Sequence, residues 1–436
     1  MKKTFFSESF GCRVNEAERE EINRQLLKKG FQYTSDDPTI YFINTCAVTA
    51  KAEREARQRI YQIRRKFLNS KIIVTGCAAT YWQKNNLYNN IPADLIVDNL
   101  NKEFLIKIIE NRFLNKPAID PTNCEDKKIN YEVKPFLDKF LTSGRILIKI
   151  QDGCQRFCSF CIVPYLRGLP KSVTIKDLIL KIKNCQNQVK EVILTAINTE
   201  AYGYDTGEKF VDLLKKVIDE TRVPRISLGS VHPWSINDDF YQFYKQYLPK
   251  RRLVDFFHIP IQSGSDKILR LMKRGYTKNE ILEKIKQIKK INPLALIGTD
   301  IIVGFLEEDE KDFLETFNFL KQAPIDKFHI FRFCKRKNTA AFFMAKRLKE
   351  PSPEVKKKRA KIITQLGKQK YERFLHGLLD KNFTCLFLDK EVEGFQRALL
   401  SNQIPILIKD KKYFPGEIKN VKIIEFKNGE LFGKII

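Results

Sequence analysis

Cys154-Gln-Arg-Phe-Cys158-Ser-Phe-Cys161, directly after the apolar run Ile146-Leu-Ile-Lys-Ile150, decides how this 436-residue chain is read. Three thiolates at this spacing can wrap three corners of a cubane iron–sulfur cluster and leave the fourth iron without a protein ligand. An open iron is a place for chemistry, whereas a closed four-cysteine site mostly carries electrons. A zinc knot would need a fourth ligand nearby, and the closest candidates in sequence are Cys185 and His232.

Working outward, β-prone runs at 146–150, 191–195, 225–228, 256–259, 296–303 and 326–331 alternate with helical segments. Six β/α units make a partial or complete barrel with its active site at the C-terminal ends of the strands, where the cysteine loop falls. A charged helix over about 353–374 closes this region. Beyond it, runs at 382–388, 404–408, 416–424 and 431–436, broken by Gly, Pro, Asn and charge, predict a small antiparallel barrel.

The first hundred residues alternate strand and helix on a shorter scale. Apolar runs end at Phe10, Ile43, Thr75 and Val97, with helical periodicity over 15–30 and 50–69, which implies a small parallel α/β sheet. Cys12, Cys46 and Cys77 each sit just past one of these runs. Loops at the carboxyl edge of an open parallel sheet converge, so three distant cysteines would meet around one ligand. Gly11 and Gly76 would let backbone approach a bulky cluster. Cys124, Cys185, Cys334 and Cys385 show no such pattern and read as small buried hydrophobes. The domains expected are 1–118, a linker over 119–139, the barrel over 140–375 and the β-rich tail over 376–436.

Lys and Arg number 79 against 52 Asp and Glu, a formal net charge of +27. Such a surface favours a polyanionic partner, nucleic acid first. Basic clusters at Lys335-Arg-Lys337, Lys346-Arg347 with Lys349, and Lys356-Lys-Lys-Arg359 precede the tail. Ten cysteines in so long a chain are not a disulfide framework. No signal peptide fits the start and no apolar stretch is long enough to span a bilayer, so a reducing cytoplasm and no membrane are expected.

The ordered motifs resemble the methylthiotransferases, radical S-adenosylmethionine enzymes that insert a methylthio group at an unactivated C–H. The resemblance covers nearly the whole chain: Gly-Cys12-Arg-Val-Asn15, Asn44-Thr-Cys46-Ala-Val-Thr49, Thr75-Gly-Cys77, the loop from Gln151 to Cys161, Pro164-Tyr-Leu-Arg167-Gly168, Gln262-Ser-Gly-Ser-Asp266, Met272-Lys-Arg-Gly-Tyr276 and Thr299-Asp-Ile-Ile-Val-Gly-Phe305. The tail looks like the family's RNA-binding TRAM domain. The resemblance implies two [4Fe-4S] clusters, one on Cys154, Cys158 and Cys161 and one on Cys12, Cys46 and Cys77, with S-adenosyl-L-methionine as the other cofactor. It implies tRNA, through its anticodon loop, as partner, a sulfur donor, and a reducing electron donor such as flavodoxin or ferredoxin. Phe160, Arg167, Thr195, Gln262 and Ser263 would bind the cofactor; Arg167 would meet its carboxylate or an RNA phosphate.

Cys12-Arg-Val-Asn15 and Cys46-Ala-Val-Thr49 look most like the branch acting on threonylcarbamoyladenosine at position 37. The isopentenyladenosine and ribosomal-protein branches, and a non-catalytic iron–sulfur RNA-binding paralogue, are the alternatives. Four departures stand out. Gly304-Phe-Leu-Glu-Glu308 replaces a usual Gly-Phe-Pro-Gly-Glu, and Phe331-Arg-Phe-Cys334-Lys-Arg-Lys-Asn338-Thr339 replaces Phe-Pro-Tyr-Ser-x-Arg-x-Gly-Thr. Thr195-Ala-Ile-Asn198 has Ala for Gly, and His232 stands for Glu.

Overall fold

The computed structural model describes residues 3–113, 144–410 and 412–436; the expected linker and Cys124 lie outside them. The chain divides into two compact units, each described by itself.

The first unit comprises Met1–Phe136, Gly153–Gln155 and Cys161–Leu169. Its strands are β1 (Thr4–Ser9), β2 (Gln32–Tyr33), β3 (Ile40–Thr45), β4 (Lys71–Gly76) and β5 (Leu95–Val97). They form one parallel sheet in the order β2-β1-β3-β4-β5. Every residue of β3 is buried, as expected of a central parallel strand covered on both faces. Its side chains alternate: Ile40 and Phe42 join one core with Phe5, Leu26 and Ile109, while Tyr41 and Ile43 join the other with Ile60, Val74 and Trp82. The order reverses between β1 and β3, a topological switch point where a crevice opens at the carboxyl ends. Register aligns those ends, Ser9 with Asn44 and Thr45 with Gly76. The two-residue β2 is too short for a periodicity reading to find.

The second unit holds β6 (Arg145–Asp152), β7 (Lys171–Ser172), β8 (Glu191–Ala196), β9 (Arg225–Leu228), β10 (Phe256–His258), β11 (Leu296–Val303) and β12 (Lys327–Arg332). These give a four-stranded sheet, β7-β6-β8-β9, and a three-stranded one, β10-β11-β12. Single parallel bridges, Ile226 with Leu253 and Ser230 with His258, link β9 to β10. The six expected parallel strands thus follow one another in chain order, and β7 adds an antiparallel edge.

The tail belongs to this same unit. Its strands are β13 (Asn382–Val392), β14 (Phe395–Leu400), β15 (Pro405–Ile408), β16 (Ile418–Lys427) and β17 (Glu430–Ile435), closed in the order β13-β14-β15-β17-β16. The expected barrel is present with one correction: β15 and β17 pair in parallel. A ring of five strands cannot alternate direction all the way round, so one parallel pair is unavoidable. The strand that sequence reading passed over, β14, reads Phe-Gln-Arg-Ala-Leu-Leu, without strand-like alternation. Core residues Val254, Phe256 and Leu296 pack with the barrel's Cys385, Phe387 and Leu400, which joins it to the central strands. No described helix is long and apolar enough to cross a membrane.

Candidate active site

Each N-terminal cysteine follows a strand of the first sheet. Cys12 caps the helix Arg13–Lys28, Cys46 follows β3, and Cys77 opens the helix Cys77–Lys84. Two of the three therefore stand at helix N-termini. Gly11, at φ 94°, leaves its missing Cβ only 2.5 Å from the Cys46 Sγ, so any side chain there would displace the thiol. Gly76, at φ 100°, would drive a Cβ into the Thr45 carbonyl. The thiols sense one another: burial pushes Cys46 up to about 12, with Cys77 and Cys12 adding to it and Arg167 opposing. Burial likewise pushes the Cys12 thiol up, with Arg167 opposing and Cys77 adding to it.

Arg167 is the centre of this group. Its side chain is 1% exposed, and its Nε donates to the Cys77 Sγ at 3.3 Å. The other nitrogens reach Glu18 at 2.9 Å and the Asn15 side-chain oxygen. Glu18 also takes Lys102 at 2.6 Å, and Lys102 reaches the Asn44 oxygen at 3.2 Å. Asn15 in turn donates to the carbonyls of Phe10 and Thr45, tying together the turns that carry Cys12 and Cys46. Two buried cations thus share one carboxylate, leaving a surplus positive charge against three sulfur atoms. A neutral thiol is a weak acceptor, and a thiolate a good one. A soft donor set backed by cations, with glycine before two of the three cysteines, fits a thiolate-held iron–sulfur cluster.

In the cysteine loop, Cys154 and Cys161 fall in the first unit and Cys158 in the second. The Cys154 amide donates to the Gly168 carbonyl at 3.1 Å, and Gly153, at φ 72°, avoids the Leu169 carbonyl that a Cβ would strike. Cys158 is buried and receives an N–H from Arg274 at 3.2 Å. Arg274 is itself fixed by the Pro260 carbonyl and by the faces of Trp234 and Tyr276. Cys77 and Cys158 thus each have a buried arginine at the sulfur.

The structure places the expected cofactor residues as follows. Phe160 packs against Ile268, Met272, Phe305, Leu306 and Phe333. Thr195 is buried in β8, its hydroxyl 3.0 Å from where a Cβ on Gly229 would stand. Gln262 adopts φ 75° and exchanges backbone bonds with Asp300 and Ile302, and the Ser263 hydroxyl pairs with Thr316 at 3.2 Å. Arg167 stands among the N-terminal thiols, its guanidinium turned to Glu18, Asn15 and Cys77. His232 is a neutral group: burial, then Arg274, pulls it down to about 3, and it stacks on Trp234. Glu307 and Asn338, standing where the resembling family has glycine, both adopt positive φ, at 59° and 75°. Glu18 and Lys102 escaped the sequence reading, and Arg274 entered it only within the motif Met272-Lys-Arg-Gly-Tyr276, without a role. Glu18 had a signal, lying one turn after Asn15 on the same helix, whereas Lys102 had none.

The chain matches the model described as Radical SAM superfamily over residues 148–320 and the uncharacterized protein family UPF0004 over residues 4–98. It is 34% identical over 413 residues to the threonylcarbamoyladenosine tRNA methylthiotransferase MtaB of Aquifex aeolicus, covering 93% of this chain and 96% of that one. Identity is also 34%, over 443 residues, to the tRNA-2-methylthio-N(6)-dimethylallyladenosine synthase of Thermodesulfovibrio yellowstonii, covering 100% and 99%. Among solved structures, the radical S-adenosylmethionine methyltransferase TsrM from Kitasatospora setae, with cobalamin and a [4Fe-4S] cluster bound, shares the fold. The TM-score is 0.52 at 11% identity, over 76% of this chain and 72% of that one. The full-length match to curated relatives leaves one conclusion: this chain belongs to the radical S-adenosylmethionine methylthiotransferases, enzymes that work with S-adenosylmethionine and a [4Fe-4S] cluster.

Proposed function

We propose that this enzyme acts on tRNA, converting N6-threonylcarbamoyladenosine at position 37 to its 2-methylthio derivative. The meeting of Cys12, Cys46 and Cys77 around the Arg167 guanidinium carries the reading, because attaching sulfur needs a thiol-lined site beyond the radical loop. The side chains at Cys12-Arg-Val-Asn15 and Cys46-Ala-Val-Thr49 support this substrate over the isopentenyladenosine one, and relatives named for each activity match the chain.

In this scheme Cys154, Cys158 and Cys161 hold one [4Fe-4S] cluster, and Cys12, Cys46 and Cys77 a second. When bound, the clusters with S-adenosylmethionine supply the radical that activates the C–H bond and the sulfur that replaces its hydrogen. The chain does the rest. Arg274 and Arg167 direct N–H groups and positive charge at the Cys158 and Cys77 sulfurs. Phe305, Leu306 and Phe333 back Phe160 with a buried apolar wall that excludes water. Residues 1–118 serve as the sulfur-bearing domain, 140–375 as the radical domain and 376–436 as the RNA-binding barrel. The excess of 27 positive charges supplies attraction to phosphate without sequence information. An electron donor and a sulfur donor complete the system, which suits the cytoplasm.

Nucleoside mass spectrometry of tRNA from cells lacking the gene tests the substrate. The methylthio form of threonylcarbamoyladenosine disappears and its precursor accumulates; loss of the isopentenyl product instead would move the enzyme to the other branch. Cys158→Ala abolishes 5′-deoxyadenosine formation by the anaerobic protein with dithionite, whereas Cys46→Ala keeps that cleavage and stops thiolation. Equal loss in both variants would break the division of labour.

A further inference from the structure

Apart from the cysteines, one group of metal-type ligands stands on the second unit's parallel strands. His258 ends β10, Asp300 lies in β11 and His329 in β12. Register puts them together: His258 is opposite Gly298, Asp300 is opposite His329, and residues 298 and 300 point to the same face of β11. The His258 Nε2 is 3.1 Å from the Asp300 Oδ1, and the His329 Nδ1 is 3.4 Å from that same oxygen. All three donor atoms lie within 4.8 Å of one another, and the imidazole rings stack at 5.1 Å.

Two readings compete. In the first, the histidines simply hydrogen-bond a carboxylate. The 3.1 Å approach allows that, but 3.4 Å is beyond an ordinary N–H···O bond. In the second, the donors surround an ion. Bonds of about 2.0–2.1 Å at tetrahedral angles put first-shell donors roughly 3.3–3.4 Å apart, close to both separations. Gly298 supports the second reading. A Cβ there would stand 3.2 Å from the His258 Nδ1 and 3.1 Å from the Phe256 ring, so the glycine leaves the imidazole its room.

We propose that His258, Asp300 and His329 bind a divalent first-row transition ion. Two imidazoles and one carboxylate form a borderline donor set, distinct in chemistry from the thiol sites that favour iron–sulfur assembly. His258 is buried while the His329 side chain is 47% exposed, so one side of the site is open to solvent. Water or an oxygen-donor ligand completes the coordination there, as at an open zinc site rather than a closed structural one.

The test uses the full chain with its clusters reconstituted anaerobically, titrated with zinc against a weak chelator and desalted. Zinc and iron are then counted by mass spectrometry, and the zinc edge is examined by X-ray absorption. The expected result is one zinc per chain with nitrogen and oxygen neighbours and iron content unchanged. His329→Ala, at an exposed position, and Asp300→Asn each weaken zinc binding about tenfold or more without altering iron or the circular dichroism spectrum. Zinc held equally by native protein and both variants, zinc with sulfur neighbours, zinc that displaces iron, or no retained zinc would overturn the site.

Discussion

Glu18 in the first unit and Glu191 in the second are both buried carboxylates shared by two cations, yet their networks end on different acceptors. Around Glu191, Arg225 binds at 3.1 Å and Arg145 at 3.0 Å. The surplus charge is absorbed by neutral oxygens: Arg225 donates to the carbonyls of Leu399 and Leu400, and Arg145 to the Gln403 side chain. Burial pushes the Glu191 carboxyl up, but Arg225 and Arg145 outweigh it and hold it ionised. Around Glu18 the cations are Arg167 and Lys102, and the surplus faces sulfur. Burial, with Arg167 beside it, pulls the Lys102 ammonium down, even though Glu18 opposes the shift. The same arithmetic of charge therefore makes a staple in one place, fixing the terminal barrel to the central strands, and a cradle for sulfur in the other. What the cations are aimed at, not their number, tells the two apart.

The largest effect expected from breaking this parallel is on the staple. Arg225→Met leaves Glu191 with Arg145 as its one remaining cation and takes from the Leu399 and Leu400 carbonyls the N–H groups that Arg225 gives them, which costs about 3–5 kcal/mol in urea unfolding followed by circular dichroism. The double variant with Glu191→Gln recovers part of that loss. In the cradle, Arg167→Gln leaves Glu18 and Lys102 as a balanced pair and should cost only about 1–2 kcal/mol of stability. Its signature is electrochemical. In a background of Cys154, Cys158 and Cys161 all changed to Ala, the proposed N-terminal cluster becomes harder to reduce by on the order of 60 mV, a tenfold factor for one electron. Unchanged potential with retained iron would make Arg167 merely structural; absent iron in the background protein would remove the N-terminal cluster itself.

The smallest effect sharpens the comparison with a carboxylate that lacks cations. Asp255 is held by the Tyr244 hydroxyl at 2.7 Å, and no ion pair reaches it among the described residues. Burial pushes it up to about 6, with Tyr244 and Asn292 opposing. Because the folded value lies above the unfolded one, ionisation above pH 6 opposes folding, and protonation below it relieves the penalty. Asp255→Asn should therefore raise stability by about 1–2 kcal/mol at pH 7.5, an advantage that fades as pH falls from 6 towards 4. A constant difference across that range would place the effect elsewhere.

Much of this was legible from sequence, for identifiable reasons. The strands that carry the cysteines are buried on both faces, so their composition alone marks them, and cysteines at strand ends inherit their position from the sheet. Strand β14 was not legible because Gln396, Arg397 and Ala398 break the alternation, and pairing with β13 and β15 supplies what propensity does not. Arg167 was singled out, but its direction was not: a flexible fork two turns past the loop can point to several partners, and only the packed helix aims it at Cys77.

Sequence by itself determined the reaction chemistry of this protein, because ligand type and spacing within eight residues are local properties of the chain. Tertiary structure decided everything that depends on residues far apart. It gathered Cys12, Cys46 and Cys77 at a switch point, set Glu18 and Lys102 behind Arg167, and brought His258, Asp300 and His329 onto one face. Such neighbours are set by strand order and register, which emerge only when whole sheets pack.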